Sequence, residues 1–223
     1  MSIIETNMNQ NVSVEGNQAQ LLVEIEAFNQ NIDSLLQQLE HCRNTFTQSL
    51  LNRMERVDPG RAAHCRRVRR YAVITAHELG LDETQQQTIE LASLLHDFGA
   101  LDAPSSILQR QDALTAEERQ VLRSYVYEGA KTLGKVHAFD QVVALICSHY
   151  EWFSGEGGFP GHLHGNNIPL GARIIAIANA YDALITRRPG YKPISSQDAL
   201  MEISARTGTQ YDPDVVEAFV RVV

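Results

Sequence analysis

Adjacent His96 and Asp97 close the apolar run ELASLL and stand just before Phe98-Gly99. An imidazole and a carboxylate side by side can bind one divalent cation, and the second carboxylate oxygen can bridge to another. The alternative for such a pair on its own is a buried His–Asp hydrogen bond closing a helix. Further polar positions bear on that choice. His64 lies on the inward face of the preceding helical pattern and His149 at the end of a later one, while Asn179 and Asp182 stand one turn apart on an apolar stretch beyond. Polar groups on the inward faces of four helices are costly to bury without a shared purpose, and a metal ion is the usual one.

Helices must carry these groups. Asp58-Pro59 is a helix start, an N-cap acid followed by proline in the first turn, and opens a helix over 59–79. On it His64, Val68, Tyr71, Thr75 and Leu79 share a face; Arg66, Arg67, Arg69 and Arg70 read as a solvated flank, with a basic patch as the alternative. Gly80 ends this helix and Asp82 caps the next, which runs to His96-Asp97. Thr115 and Glu118 form a capping box, and a helix follows over 139–150. The glycine-rich stretch 155–165 must be a loop. A buried helix is expected over 174–184, and Asp212-Pro213 opens a short last one. No alternating stretch or Asn-Gly hairpin occurs, so the fold class is all-α. Cys65 and Cys147 are turned about 100° and 200° from His64 and His149 on ideal helices, which makes them core thiols rather than ligands.

Upstream, residues 1–18 are rich in Asn and Gln without period and read as a flexible tail. Residues 19–57 form an N-terminal helix. Along it Leu21, Ile25, Phe28, Ile32, Leu35, Leu39, Cys42 and Phe46 keep one apolar seam by alternating steps of four and three. Two readings stay open, a coiled coil that pairs protomers into a homodimer and a long helix packed on its own domain. A net charge of -8 argues against a general DNA or anionic-membrane surface. No apolar run is long enough to span a bilayer, the composition of the first residues leads to no expectation of a secretory leader, and three scattered cysteines make no disulfide framework. The expected location is the cytoplasm.

Residues 58–223 resemble the HD-GYP family, a branch of the HD phosphohydrolases associated with hydrolysis of cyclic di-GMP. The resemblance rests on H64-CRRV, L94-LHDFG, L114-TAEE, H149-YE, G158-FP, I168-PLGARIIAIANAYDAL and R188-PGYK, in the family's order and spacing. It implies an HD-GYP-type helical bundle preceded by the long N-terminal helix. It implies metal ligands at His64, His96, Asp97 and His149, with Asn179 at a position where the family has aspartate. Other positions differ as well. Ala100 stands where the family has a phosphate-contacting lysine, Tyr125 and Tyr150 where it has histidine ligands, and Gly60 where some relatives have a glutamate for a third metal.

By this resemblance one metal position would use His64, His96, Asp97 and Asn179. The other, drawing on Asp97, Tyr125, His149 and Tyr150, keeps two ordinary ligands. Paired-metal hydrolysis needs two cations about 3.5–4 Å apart, so slow or absent turnover is expected, with a divalent metal (iron or manganese) at reduced occupancy. Arg188 stands at a substrate-phosphate arginine of the family and Lys192 at a final basic residue, with Gly190 inserted between them; ordinary surface residues are the alternative. Gly158, Phe159 and Pro160 replace the family's GYP, as a surface for a guanine or a protein partner, or as a lid on the domain's own core.

The implied function is a degenerate module of bacterial cyclic di-GMP signalling. It would bind cyclic di-GMP, a related nucleotide or a protein partner such as a cyclase domain, with little or no hydrolysis. The alternative is a metal-dependent cyclic di-GMP phosphodiesterase of weak or unconventional activity.

Overall fold

The computed structural model describes residues 2–223 except 109, 111, 188 and 189, with side chains from residue 20 onward. The chain divides into two units, Met1–Phe46 and Thr47–Val223.

The first unit lies within α1 (Ser2–Val57), one continuous helix. The stretch 1–18, expected as a flexible tail, is therefore helical backbone from Ser2 onward. Its polar residues have tolerable helix propensities, and extending a formed helix costs far less than nucleating one. The expected seam is exposed: Leu21, Ile25, Phe28, Ile32, Leu35 and Leu39 all present large apolar side chains to solvent.

In the second unit the described residues form helices and no strand, apart from isolated bridges at Glu151–Gly158 and Thr207–Tyr211. The last turns of α1 belong here, and Met54 is fully buried with Ala62, Cys65 and Leu101. Asp58 then caps α2 (Pro59–Glu78), its carboxylate accepting from the Arg61 backbone N–H. Gly80 adopts a φ of +72°, which favours glycine, and Asp82 with Gln85 forms a capping box on α3 (Glu83–Leu95). The 3-10 turn Phe98–Asp102 and the single-turn α4 (Ser105–Leu108) lead to α5 (Ala116–Leu133), opened by the Thr115–Glu118 capping box. Then come α6 (Asp140–Ser148), α7 (Leu170–Ile185), α8 (Ser196–Ser204) and α9 (Pro213–Val222). The 3-10 turn, α4 and α8 carry no strong period in the sequence.

The core sits where α2, α3, α6 and α7 pack together, with α5 against α6 and α9 against α2 and α7. Ile174, Ile175 and Ile177 of α7 are fully buried, and Phe219 of α9 packs with Tyr71 and Tyr181. Each such apolar side chain contributes about 1.5–3 kcal/mol. Close approach needs small residues at two points. A Cβ on Gly171 would stand 2.7 Å from a Leu145 methyl and 2.8 Å from Ile89 Cγ1, and one on Gly129 would stand 2.3 Å from Gly99 Cα. The second contact draws the turn after His96-Asp97 onto α5. No helix among the described residues is long and apolar enough to cross a membrane.

Candidate metal centre

His96 and His149 occupy the same structural position, each the C-cap of its helix. The final carbonyls of a helix lack backbone partners. Here the imidazoles supply them: His96 Nδ1 lies 2.8 Å from Ser93 O, and His149 Nδ1 lies 2.7 Å from Ile146 O. A carbonyl can only accept, so both Nδ1 atoms carry the proton and both Nε2 atoms present lone pairs. His64, on α2, is held instead by a carboxylate, with Nδ1 2.6 Å from Asp182 Oδ2. Asp182 is fully buried on α7 and also accepts from Arg67, Nε at 2.5 Å and Nη2 at 3.0 Å. Three imidazoles thus have Nδ1 fixed by an outer partner, the arrangement that orients metal-binding histidines.

The rings stand edge to face in a row, His64 to His96 at 5.2 Å between centroids and His96 to His149 at 5.3 Å. His96 Nε2 and His149 Nε2 are buried and have no hydrogen-bond partner. Leaving a buried polar atom unsatisfied costs about 1–3 kcal/mol, so two together mark a place where a cation fits. His64, His96 and Asp97 place one ligand atom each within 4.8 Å of one another. His149 falls outside that group.

Protonation states suit a cation. Burial pushes His96 down to about 3 and His149 down to about 4, only partly opposed by Asp97 and their carbonyl partners. Both are neutral near pH 7. Burial raises Asp97 and is the largest single influence on it, but the Arg61 guanidinium, 2.6 Å from Oδ2, together with His96, His64 and His149 brings the carboxyl well below the usual carboxylate range. Asp182 behaves likewise: burial raises it, and the hydrogen bonds from His64 and Arg67 bring it below the usual carboxylate range.

Beyond His149 the site turns aromatic. The Tyr150 ring lies 3.8 Å from the His149 ring, and the Arg123 guanidinium of α5 sits over the Tyr150 ring, 5.0 Å from its centroid. Tyr125 is half-buried on α5, and Ala100 is fully buried. Glu151 organises the glycine-rich loop: its buried carboxylate accepts from the backbone N–H groups of Gly161, His162 and Leu163 at 2.8, 2.9 and 3.2 Å. Phe159 rests edge-on against Tyr127 of α5, 5.8 Å between centroids, while Gly158 and Pro160 are half-buried beside it.

Asn179 is half-buried, one turn before Asp182 on α7. Lys192 is exposed, and Arg188 lies outside the described residues. Cys65 is a core thiol, as its helical offset implies. The arginine flank is not simply solvated: Arg66 pairs with Glu55, Arg69 with Glu90 and Arg67 with Asp182. Sequence reasoning missed Arg61, Arg67 and Glu151. Arg61 stands at i−3 from His64, a spacing that puts two residues on one helix side and could have flagged it.

A family profile described as "HD domain" matches residues 46–215. The chain belongs to the HD domain family. Among its relatives, the "Cyclic di-GMP phosphodiesterase response regulator RpfG" of Xanthomonas campestris pv. campestris is 37% identical over 216 residues, 92% of this chain and 56% of that protein. The chain thus spans little more than half of that relative's length. Among solved HD-type structures, "Bd1817, a HDG"Y"P protein from Bdellovibrio bacteriovorus" aligns with a TM-score of 0.63 at 21% identity, covering 82% of this chain and 63% of that one. The Listeria monocytogenes phosphodiesterase PgpH HD domain in complex with cyclic-di-AMP aligns with a TM-score of 0.54 at 14% identity, covering 77% and 91%. At these identities the structures establish the all-α fold. In this HD domain, His96 and Asp97 are the pair that ends α3.

Proposed function

We propose that this HD domain binds a cyclic dinucleotide, cyclic di-GMP first, at a one-metal centre, with little or no hydrolysis. The observation that carries the reading is the composition of the cation-capable group. It contains His64, His96 and Asp97, whereas His149 is not part of it and has the Tyr150 ring tilted by 41° against its own at 3.8 Å. Asn179, on the turn before Asp182, would complete the first position with a neutral oxygen. A bound divalent metal would polarise a phosphoryl oxygen. The chain's own part is to hold the imidazoles of His64, His96 and His149 and one ionised carboxylate in place, and Ala100 leaves the neighbouring position without a cation. The relatives' names, which include a cyclic di-GMP phosphodiesterase, support the ligand class. Lys192, Arg188 and the Gly158-Phe159-Pro160 segment are the proposed outer contacts for nucleotide or for a protein partner. The exposed seam of α1 supports pairing of two protomers by a coiled coil, in the cytoplasm.

The test is metal analysis of protein purified without chelator, followed by cyclic di-GMP titration and turnover assays. The expected result is at most one iron or manganese per chain, metal-dependent nucleotide binding and negligible linear product. Two metals per chain, with turnover abolished by Asp97→Ala, would overturn the reading in favour of an active phosphodiesterase.

A further inference from the structure

Asp97 divides its two oxygens between different partners. Oδ1 lies 4.0 Å from Nε2 of His96, a fellow member of the cation-capable group. Oδ2 accepts from Arg61 Nη1 at 2.6 Å. A carboxylate commonly bridges two metals with one oxygen on each, and here a guanidinium already occupies the second oxygen.

Arg61 is held from both ends. Its backbone N–H and Nε donate to the two oxygens of Asp58, the N-cap of α2, at 2.9 and 3.2 Å. The guanidinium therefore bridges two carboxylates, with its position set by the same cap that starts the helix carrying His64. Its side chain is 16% exposed, so the group is reachable, and Nη2 makes no hydrogen bond among the described residues. A planar fork with an available N–H beside a metal position is suited to a phosphate oxygen.

We infer that Arg61 takes the place of a second cation at Asp97 and is the phosphate-binding residue of this site. The centre is then one metal plus one arginine, and its ligand is a phosphate ester whose oxygens are shared between them. The inference rests on the one-metal reading above and adds the residue that contacts the ligand. A fixed guanidinium neutralises phosphate charge as a second metal would, but it cannot activate water by coordination. Binding without efficient hydrolysis follows from that difference.

The full chain would be titrated with Mn²⁺ alone, followed by electron paramagnetic resonance, and the Mn²⁺-loaded protein then with cyclic di-GMP by calorimetry. Wild type should take one Mn²⁺ per chain. Arg61→Ala should still take one Mn²⁺ yet bind cyclic di-GMP about tenfold to a hundredfold more weakly, the range of one charge-assisted hydrogen bond. Arg61→Lys keeps the charge, guards against a folding defect in the alanine variant, and should fall between the two. Two spin-coupled Mn²⁺ ions in wild type would overturn the inference. So would unchanged nucleotide affinity in a folded Arg61 variant. If wild type takes one Mn²⁺ but binds no cyclic di-GMP, the nucleotide reading fails alone and inorganic phosphate becomes the probe. Weaker phosphate binding by the variants then supports Arg61, and equal binding overturns it.

Discussion

Asp182→Asn tests the outer support of the centre with almost no change in shape. The native carboxylate accepts from His64 Nδ1 at 2.6 Å, from Arg67 Nε at 2.5 Å and from Arg67 Nη2 at 3.0 Å, and Thr186 Oγ1 lies 3.2 Å away. The amide keeps one acceptor oxygen and turns an NH₂ toward donors that still need an acceptor. Breaking a fully buried pair typically costs about 3–5 kcal/mol. Arg67 is about one-third exposed and recovers part of its loss from water, so about 2–3 kcal/mol is expected. That corresponds to roughly 4–12 °C in Tm for a domain of this size. The pH dependence follows from the lowered Asp182 pKa. The folded carboxyl gives up its proton more readily than the unfolded one, so its contribution is complete above the unfolded value of about 3.9. It fades as pH falls through the folded value. The gap between wild type and variant should be full at pH 6–7 and narrow below about pH 4. Because Asp182 also fixes the His64 tautomer, Mn²⁺ affinity should drop roughly 10- to 100-fold. Urea unfolding by circular dichroism and Mn²⁺ calorimetry read the two effects. A variant with native stability at pH 7 and native Mn²⁺ affinity would refute the outer-support argument.

Other perturbations probe separate links. Metal-free protein should lose stability between about pH 6.5 and 4, because buried His96 and His149 resist protons that the unfolded chain accepts; His96→Ala should flatten the pH profile of the unfolding free energy from urea titrations by roughly 1.4 kcal/mol per pH unit, and an unchanged slope would contradict burial as the cause. Gly129→Ala would put a methyl 2.3 Å from Gly99 Cα, so a loss of about 1–3 kcal/mol is expected in the same unfolding assay. Removing residues 1–46, which form a unit of their own, should convert a dimer to a monomer by sedimentation; a persisting dimer would place the interface elsewhere.

Much of this protein is local, and so could be read from the chain. Asp58-Pro59, Asp82 with Gln85, Thr115 with Glu118 and Asp212-Pro213 start helices through contacts two to four residues away. The apolar faces between those signals require an all-helical core, and the histidines had to be inward because they share those faces. The inward placement of His64, His96, Asp97 and His149 was therefore visible. What remained hidden depends on residues far apart in sequence. Arg61 reaches Asp97 across 36 positions and Arg67 reaches Asp182 across 115. A long, flexible arginine looks the same in a sequence whether it meets water or a buried acid, and only the packing of α2 on α3 and α7 decides which. The helix end at His96-Asp97 followed from sequence. The division of Asp97 between a cation-capable pocket and Arg61 is a property of the tertiary structure, since it depends on where three helices converge.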